Sequence, residues 1–291
     1  MKIKFLLLIP FIAISSSFTK EETKENQTAS QQKITSQNLN ISFLLDLSDR
    51  IDPKKYPGYY QRDIQYIKSV EKAFLSNVKQ KKIITLNDQM QVFFDPQPKS
   101  FEINELSKQL KVSFDKFSSK KDIDNVDKVF SEIPVKIYQS AIKDGQYIGS
   151  DIWRFFKTKV HDYCIKDKHR NILVIITDGY MYHKDSKLID KNKSSYITPA
   201  FIQAKKLTSA NYKSIIQNNQ LGFIPATTNL QDLEVLVLGI NPSKKNPYEE
   251  DVINQYWTDW FNAMNIKKFQ IKTADLPSDL DPVIQRIILG K

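Results

Sequence analysis

Two short apolar segments of the chain each end in acidic and hydroxyl-bearing residues. Residues 41–45 are followed by Asp46 and Ser48, and residues 172–176 are followed by Thr177 and Asp178. An apolar run without polar alternation is typical of a strand buried on both faces, and open α/β sheets bind ligands at the carboxyl ends of such strands. We therefore expect Asp46, Ser48 and Asp178 to meet at one sheet edge, where their hard oxygens suit Mg²⁺ or Mn²⁺.

The apolar pattern predicts an α/β fold with a doubly wound, mainly parallel central sheet flanked by helices, because strands alternate with helical periodicity. A close pair or hairpin is expected at residues 82–86 and 90–94, and Pro134 is expected to break a helical region at residues 102–143. The remaining elements are predicted as strands at 41–45, 172–176, 233–239 and 268–273, and as helices at 64–78, 252–264 and 283–288.

A third loop, Gly149-Ser150-Asp151, opens another predicted helix between the two acidic turns. With this loop in place, the chain resembles a von Willebrand factor A (vWA) domain over residues 39–291. The resemblance implies a metal-ion-dependent adhesion site. Its ligands here would be Asp46, Ser48, Ser150 and Asp178, with Ser150 in place of the usual Thr. It further implies that an acidic side chain of a protein partner completes the metal's coordination.

Arg50 stands where the family pattern has a second Ser ligand, and an arginine cannot coordinate a cation because its guanidinium has only donors. Two alternatives follow. The side chain turns away and leaves a weakened metal site with water in the vacant position, or it neutralises Asp46 or Asp178 and replaces the metal. Asp49 and Asp151 are close enough in sequence to add negative charge and modulate the site.

The N-terminal sequence predicts export to the periplasm, the cell surface or the exterior. Residues 1–19 combine two early lysines, an apolar run and a serine cluster, which is typical of a secretory signal peptide. Residues 20–38 are polar and predict a flexible tether. Membrane contact is expected only through these segments if the signal stays uncleaved. The rest, residues 39–291, is expected to form one domain with an insertion at about 180–232, which either shapes ligand specificity or decorates the surface.

Composition argues against several other functions. The net charge of +10 comes from scattered lysines, which predicts a solvated surface and no specific nucleic-acid site. Cys164 is the only cysteine, so no internal disulfide can form, and its apolar neighbours predict a buried thiol. Seven glycines include no phosphate-binding loop, and the three histidines show no metal-ligand spacing. The helical spacing of Trp257 and Trp260 predicts core packing.

Together with the predicted export, the resemblance implies a non-enzymatic binding module that recognises an acidic side chain of a protein partner through Mg²⁺ or Mn²⁺. One alternative is a metal-dependent hydrolase or phosphoryl-transfer enzyme with Asp46 as nucleophile or ligand, because fold class does not decide function. The other is a structural or assembly factor without metal, in which Arg50 replaces the cation.

Overall fold

A six-stranded sheet is the centre of the computed structural model, which describes residues 37–290. Its strand order is β3-β2-β1-β4-β8-β9, and all neighbours are parallel except β2 and β3. A second sheet of order β5-β6-β7 lies in the insertion. The strands are β1 (Asn38–Leu45), β2 (Gln89–Phe93), β3 (Val112–Ser113), β4 (His169–Ile176), β5 (Ile189–Asp190), β6 (Lys193–Ser194), β7 (Gly222–Phe223), β8 (Leu233–Ile240) and β9 (Lys268–Thr273).

Helices cover both faces of the large sheet. They are α1 (Tyr59–Lys79), α2 (Phe101–Gln109), α3 (Lys120–Asp144), α4 (Ile152–Thr158), α5 (Val160–Cys164), α6 (Pro199–Ala204), α7 (Tyr212–Asn218), α8 (Glu249–Ala263) and α9 (Pro277–Leu289). Within residues 37–290, none of them is both long and apolar enough to span a lipid bilayer.

Two apolar cores lie on opposite faces of the sheet, because successive strand side chains point in opposite directions. Phe43 joins the core formed with α1, α2, α3 and α9, whereas its neighbour Leu44 joins the core formed with α4, α5, α8 and the insertion. Every residue from 39 to 45 is buried, Ser42 included. Coverage on both faces explains the near-continuous apolar runs and confirms the predicted mainly parallel α/β fold class.

Three local predictions were wrong. Residues 82–86 do not form a strand: Ile83–Thr85 is a short 3-10 helix in which Ile84 is 75% exposed. The expected hairpin with residues 90–94 is therefore absent, and β2 instead pairs in parallel with β1. Pro134 does not break the helical region, because α3 continues through it. Pro134 is buried on the packed face of α3, where tertiary contacts override the low helix propensity of proline.

The ends of the predicted domain and its insertion can be compared with the described residues. β1 begins at Asn38, one residue before the predicted domain start. The predicted signal peptide, and the tether up to residue 36, lie outside the described residues. Residues 180–232 form the small sheet with α6 and α7, and they add Ile197, Ile202 and Phe223 to the second core. The insertion therefore packs as part of the fold.

Candidate metal site at the sheet edge

The register of β1 and β4 brings two acidic turns together. The strands pair in parallel with Leu45 opposite Ile176. Asp46 then donates its backbone N–H to the carbonyl of Ile176 over 3.1 Å. Asp178 follows two residues after Ile176, so both turns leave the same end of adjacent strands. The predicted meeting of these turns at the sheet edge thus follows from strand pairing.

The Asp46 carboxylate is buried and held by two hydrogen bonds. Its Oδ1 accepts the backbone N–H of Ser48 at 2.9 Å, and its Oδ2 accepts the Thr177 hydroxyl at 3.1 Å. Burial raises the pKa of Asp46, and the charge of Arg50 opposes this shift. Thr177 was not among the predicted site residues, although a hydroxyl beside an acid at a strand end was the available signal.

Asp178 supplies a second carboxylate beside the first. Its Oδ1 accepts the backbone N–H of Tyr180 at 3.1 Å. Burial, followed by repulsion from the Asp46 charge, raises the pKa of Asp178 to about 7. A buried carboxylate whose ionisation is disfavoured by the charge of a second carboxylate forms a place where a cation is stabilised.

The Gly149-Ser150 loop packs against the Asp46 loop. A Cβ atom built on Gly149 would lie 3.9 Å from the Ser48 Cβ. Ser150 is 6% exposed, and its Oγ has no hydrogen-bond partner among the described residues. A buried hydroxyl without a partner is costly in free energy. A bound cation would satisfy it, because hydroxyl oxygens are hard neutral ligands.

The Arg50 side chain pairs with a carboxylate other than those of Asp46 and Asp178. Its guanidinium is 2% exposed and forms a bidentate ion pair with Asp63 of α1, at 2.7 and 2.9 Å. Tyr138 of α3 donates its hydroxyl to the same carboxylate at 3.0 Å. Arg50 reaches Asp46 only at the main-chain oxygen, at 3.3 Å. The side chain therefore stays buried near the site with a partner that sequence reasoning missed.

A sequence signal for Asp63 did exist. Asp63 lies on the same helical face as Ile67, Val70 and Phe74, which are all fully buried. An acidic residue on a buried helical face requires a compensating partner. Spacing alone could not identify that partner as Arg50.

The charges around the site do not balance. Asp46, Asp63 and Asp178 supply three carboxylates against the single guanidinium of Arg50, whose own pKa all three raise by attraction. Fully ionised, this group carries a formal charge of −2. A divalent cation would neutralise it.

The two residues expected to modulate the site have partners elsewhere. Asp49 is 57% exposed at its side chain and pairs with Lys55 at 2.8 Å. Asp151 caps α4 by accepting the backbone N–H of Arg154 at 3.0 Å, while its other oxygen accepts the hydroxyl of Ser186. The same oxygen lies 3.4 Å from Nδ1 of His183, so Asp151 ties the Ser150 loop to the insertion.

Neighbouring elements fix the loops that carry the ligands. Trp257 donates its indole N–H to the carbonyl of Gly179 at 2.9 Å, so a core tryptophan holds the turn after Asp178. Gly239 has φ +98°, and a Cβ there would lie 3.0 Å from the Thr177 carbonyl oxygen. Only glycine permits this close approach of β8 to the turn.

The donor set fits a hard divalent cation. Two carboxylates and two hydroxyls, one of them buried without a partner, are oxygen ligands of the kind Mg²⁺ and Mn²⁺ prefer. Within residues 37–290, no three His, Cys, Asp or Glu side chains cluster in a way that could hold a metal. Cys164 is buried, and burial raises the pKa of its thiol to about 12, which suits an inert core residue.

Comparison with known proteins identifies no family. No family model matches the chain, and no curated protein matches it significantly.

Solved structures show distant similarity. The chain aligns over 88% of its length, at 12% identity and a TM-score of 0.39, with 48% of proximal thread matrix protein 1 from the mussel byssus, a structure with a zinc-occupied MIDAS motif. It spans only about half of that protein. It also aligns over 87% with 30% of the pilus adhesin SpaC from Lactobacillus rhamnosus GG, at 9% identity and a TM-score of 0.41. The chain also aligns over 87% of its length with the whole of an aerotolerance-related membrane protein from Bacteroides fragilis. The identity is 12% and the TM-score is 0.37. At these TM-scores the proposals below rest on the residues of this chain.

Proposed function

We propose that this protein is an exported, vWA-like binding module. It holds Mg²⁺ or Mn²⁺ with Asp46, Ser48, Ser150 and Asp178, and it recognises a protein partner through an acidic side chain of that partner. The observation that carries this proposal is the pair of carboxylates, Asp46 and Asp178, whose charges Arg50 offsets only in part, in the loops that pack beside the Ser150 hydroxyl, which has no hydrogen-bond partner among the described residues.

The four side chains would contribute two kinds of metal ligand. The two carboxylates supply the charge that draws in the cation, and the two serines supply neutral oxygens. Mg²⁺ prefers six ligands and retains water where the protein supplies fewer. Four protein oxygens would leave positions for water, and a partner carboxylate would displace one such water. Because the protein supplies only two negative charges, the partner's charge would add to the affinity.

A metal-free structural or assembly factor is the second candidate. It is favoured by the guanidinium of Arg50, whose charge acts on both Asp46 and Asp178. Against it, both oxygens of Asp63 already engage the two terminal nitrogens of Arg50. In this second function the acidic loop would be locked internally and would bind no cation.

Calorimetric titration of Mg²⁺ and Mn²⁺ into the metal-free full chain tests the proposal. We expect saturable one-site binding to the wild type and its loss in Asp46→Asn. Asp49→Asn is the matched control, because it removes the same charge from the same loop at an exposed residue paired with Lys55. It should retain binding.

The outcomes separate the two candidates. Absence of binding to the folded wild type would reject the metal-dependent module and favour the metal-free factor. Equal loss of affinity in Asp49→Asn and Asp46→Asn would indicate general electrostatic attraction without a built site. Circular dichroism of each variant shows whether the fold is retained.

A further inference from the structure

The Arg50–Asp63 ion pair is buried beside the candidate metal ligands. Arg50 is 2% exposed and Asp63 is 1% exposed, and neither is a candidate ligand. Arg50 follows Asp46 by four residues in the same loop. A positive charge in this position would ordinarily compete with a cation for the site's carboxylates.

The hydrogen bonds of Arg50 show which carboxylate it pairs with. Its two terminal nitrogens donate to the two oxygens of Asp63, which is the forked geometry in which arginine binds a carboxylate most strongly. Its only hydrogen bond to Asp46 is to the main-chain oxygen, at 3.3 Å. The Asp46 side chain instead accepts hydrogen bonds from Ser48 and Thr177.

Two rigid elements hold the Asp63 carboxylate in place. Asp63 lies in the second turn of α1, and the hydroxyl of Tyr138 on α3 donates to its Oδ2 at 3.0 Å. The Nε of Arg50 is buried and has no hydrogen-bond partner among the described residues. The guanidinium is thus fixed mainly by Asp63, and without that anchor it has unused donor capacity close to Asp46 and Asp178.

We propose that Asp63 is a positioning residue that holds the Arg50 guanidinium away from the Asp46 and Asp178 carboxylates and so keeps them available to a divalent cation. This inference rests on the proposed metal-binding function. It explains how a chain with arginine in place of a serine ligand retains a usable acidic site. Without the Asp63 charge, the guanidinium would turn to the remaining carboxylates and occupy the place of the metal.

Mg²⁺ titration of Asp63→Asn tests the inference in the metal-free full chain. The substitution keeps the size of the side chain and an acceptor for Tyr138. We expect Mg²⁺ affinity to fall about tenfold or more, because one compensating charge is lost and the guanidinium competes. The double variant Arg50→Gln/Asp63→Asn is the matched control. It has the same formal charge around the site as the wild type and no guanidinium, so affinity should return to within about threefold of the wild-type value.

The possible results distinguish this inference from the proposed function. If neither the wild type nor the double variant binds Mg²⁺, both are overturned. If the wild type binds and Asp63→Asn binds equally well, the positioning role is overturned and the metal site stands. An affinity in the double variant no better than in Asp63→Asn would also overturn it.

A milder variant covers the case in which Asp63→Asn does not fold. Tyr138→Phe keeps all charges and removes only the hydroxyl that holds Asp63. We expect Mg²⁺ affinity to weaken about threefold, with the fold retained. Unchanged affinity in this variant would then overturn the positioning role.

Discussion

Replacing Arg50 by serine should strongly destabilise the metal-free protein. Arg50 is 2% exposed and bonded at 2.7 and 2.9 Å to Asp63, which is 1% exposed. Breaking a buried ion pair by removing one partner costs about 3–5 kcal/mol. Arg50 also attracts Asp46 and Asp178, so its loss leaves three carboxylates uncompensated. We therefore expect the free energy of unfolding to decrease by about 4–5 kcal/mol, near the upper end of that range.

Asp63→Asn should be the milder change. In this variant Arg50 would still have two carboxylates nearby. We therefore expect the free energy of unfolding to fall by about 3 kcal/mol, the lower end of the same range. Urea unfolding in the presence of EDTA measures both variants. For a domain of this size, the Arg50→Ser loss corresponds to a melting temperature lower by about 8–20 °C. Lys55→Ser is the control: it breaks an exposed pair, and its melting temperature should not change.

Adding Mg²⁺ should restore part of the stability that Arg50→Ser loses. A cation between Asp46 and Asp178 would replace the missing positive charge, and the introduced serine would supply a further hydroxyl in the Asp46 loop. The rise in melting temperature on adding Mg²⁺ should therefore be larger in Arg50→Ser than in the wild type. A smaller loss of unfolding free energy in Arg50→Ser than in Asp63→Asn, or a loss under about 1 kcal/mol in either variant, would show that the ion pair does not stabilise the fold in this way.

The remaining predictions concern the ligands and their support. Ser150→Ala should leave the stability of the metal-free protein unchanged or higher, because it removes a buried hydroxyl without a partner among the described residues. The same substitution should weaken Mg²⁺ binding in calorimetry. A loss of stability without a loss of affinity would contradict this expectation. The raised pKa of Asp178, about 7 against an ordinary value of 3.8, means that the folded state binds the proton more tightly than the unfolded state. Metal-free stability from urea unfolding should therefore fall as pH rises from about 4 to about 7 and then level off. Asp178→Asn should reduce this slope, and the raised pKa of Asp46 accounts for a remaining part; an unaltered slope would show that other groups cause it. Gly239→Ala should lower the melting temperature, because alanine is strained at φ +98° and its Cβ would approach the Thr177 carbonyl oxygen to 3.0 Å; an unchanged melting temperature would show that the turn adapts.

The large sheet could be predicted because its central strands are buried on both faces. The apolar runs at residues 41–45 and 172–176 lie inside β1 and β4, and residues 268–273 coincide with β9. The predicted strand at residues 82–86 was wrong, because this short apolar run has no strand partner and forms an exposed 3-10 helix.

The candidate site was predictable only in part. Asp46 and Asp178 could be placed together because both follow core strands of a parallel sheet. The partner of Arg50 could not, because Asp63 lies on a helix 13 residues away and meets Arg50 only through the tertiary packing of α1. Local sequence carries no information on that approach. For Thr177 the sequence offered a hydroxyl beside an acid at a strand end, but not the partner to which it donates, which is Asp46.

Anomalous diffraction from crystals of the full chain grown with Mn²⁺ would locate the cation at the proposed site. We expect one strong peak coordinated by Asp46, Ser48, Ser150 and Asp178, with the Arg50 guanidinium still paired to Asp63. Absence of a peak at this edge, with the guanidinium turned onto the Asp46 or Asp178 carboxylate, would contradict this expectation.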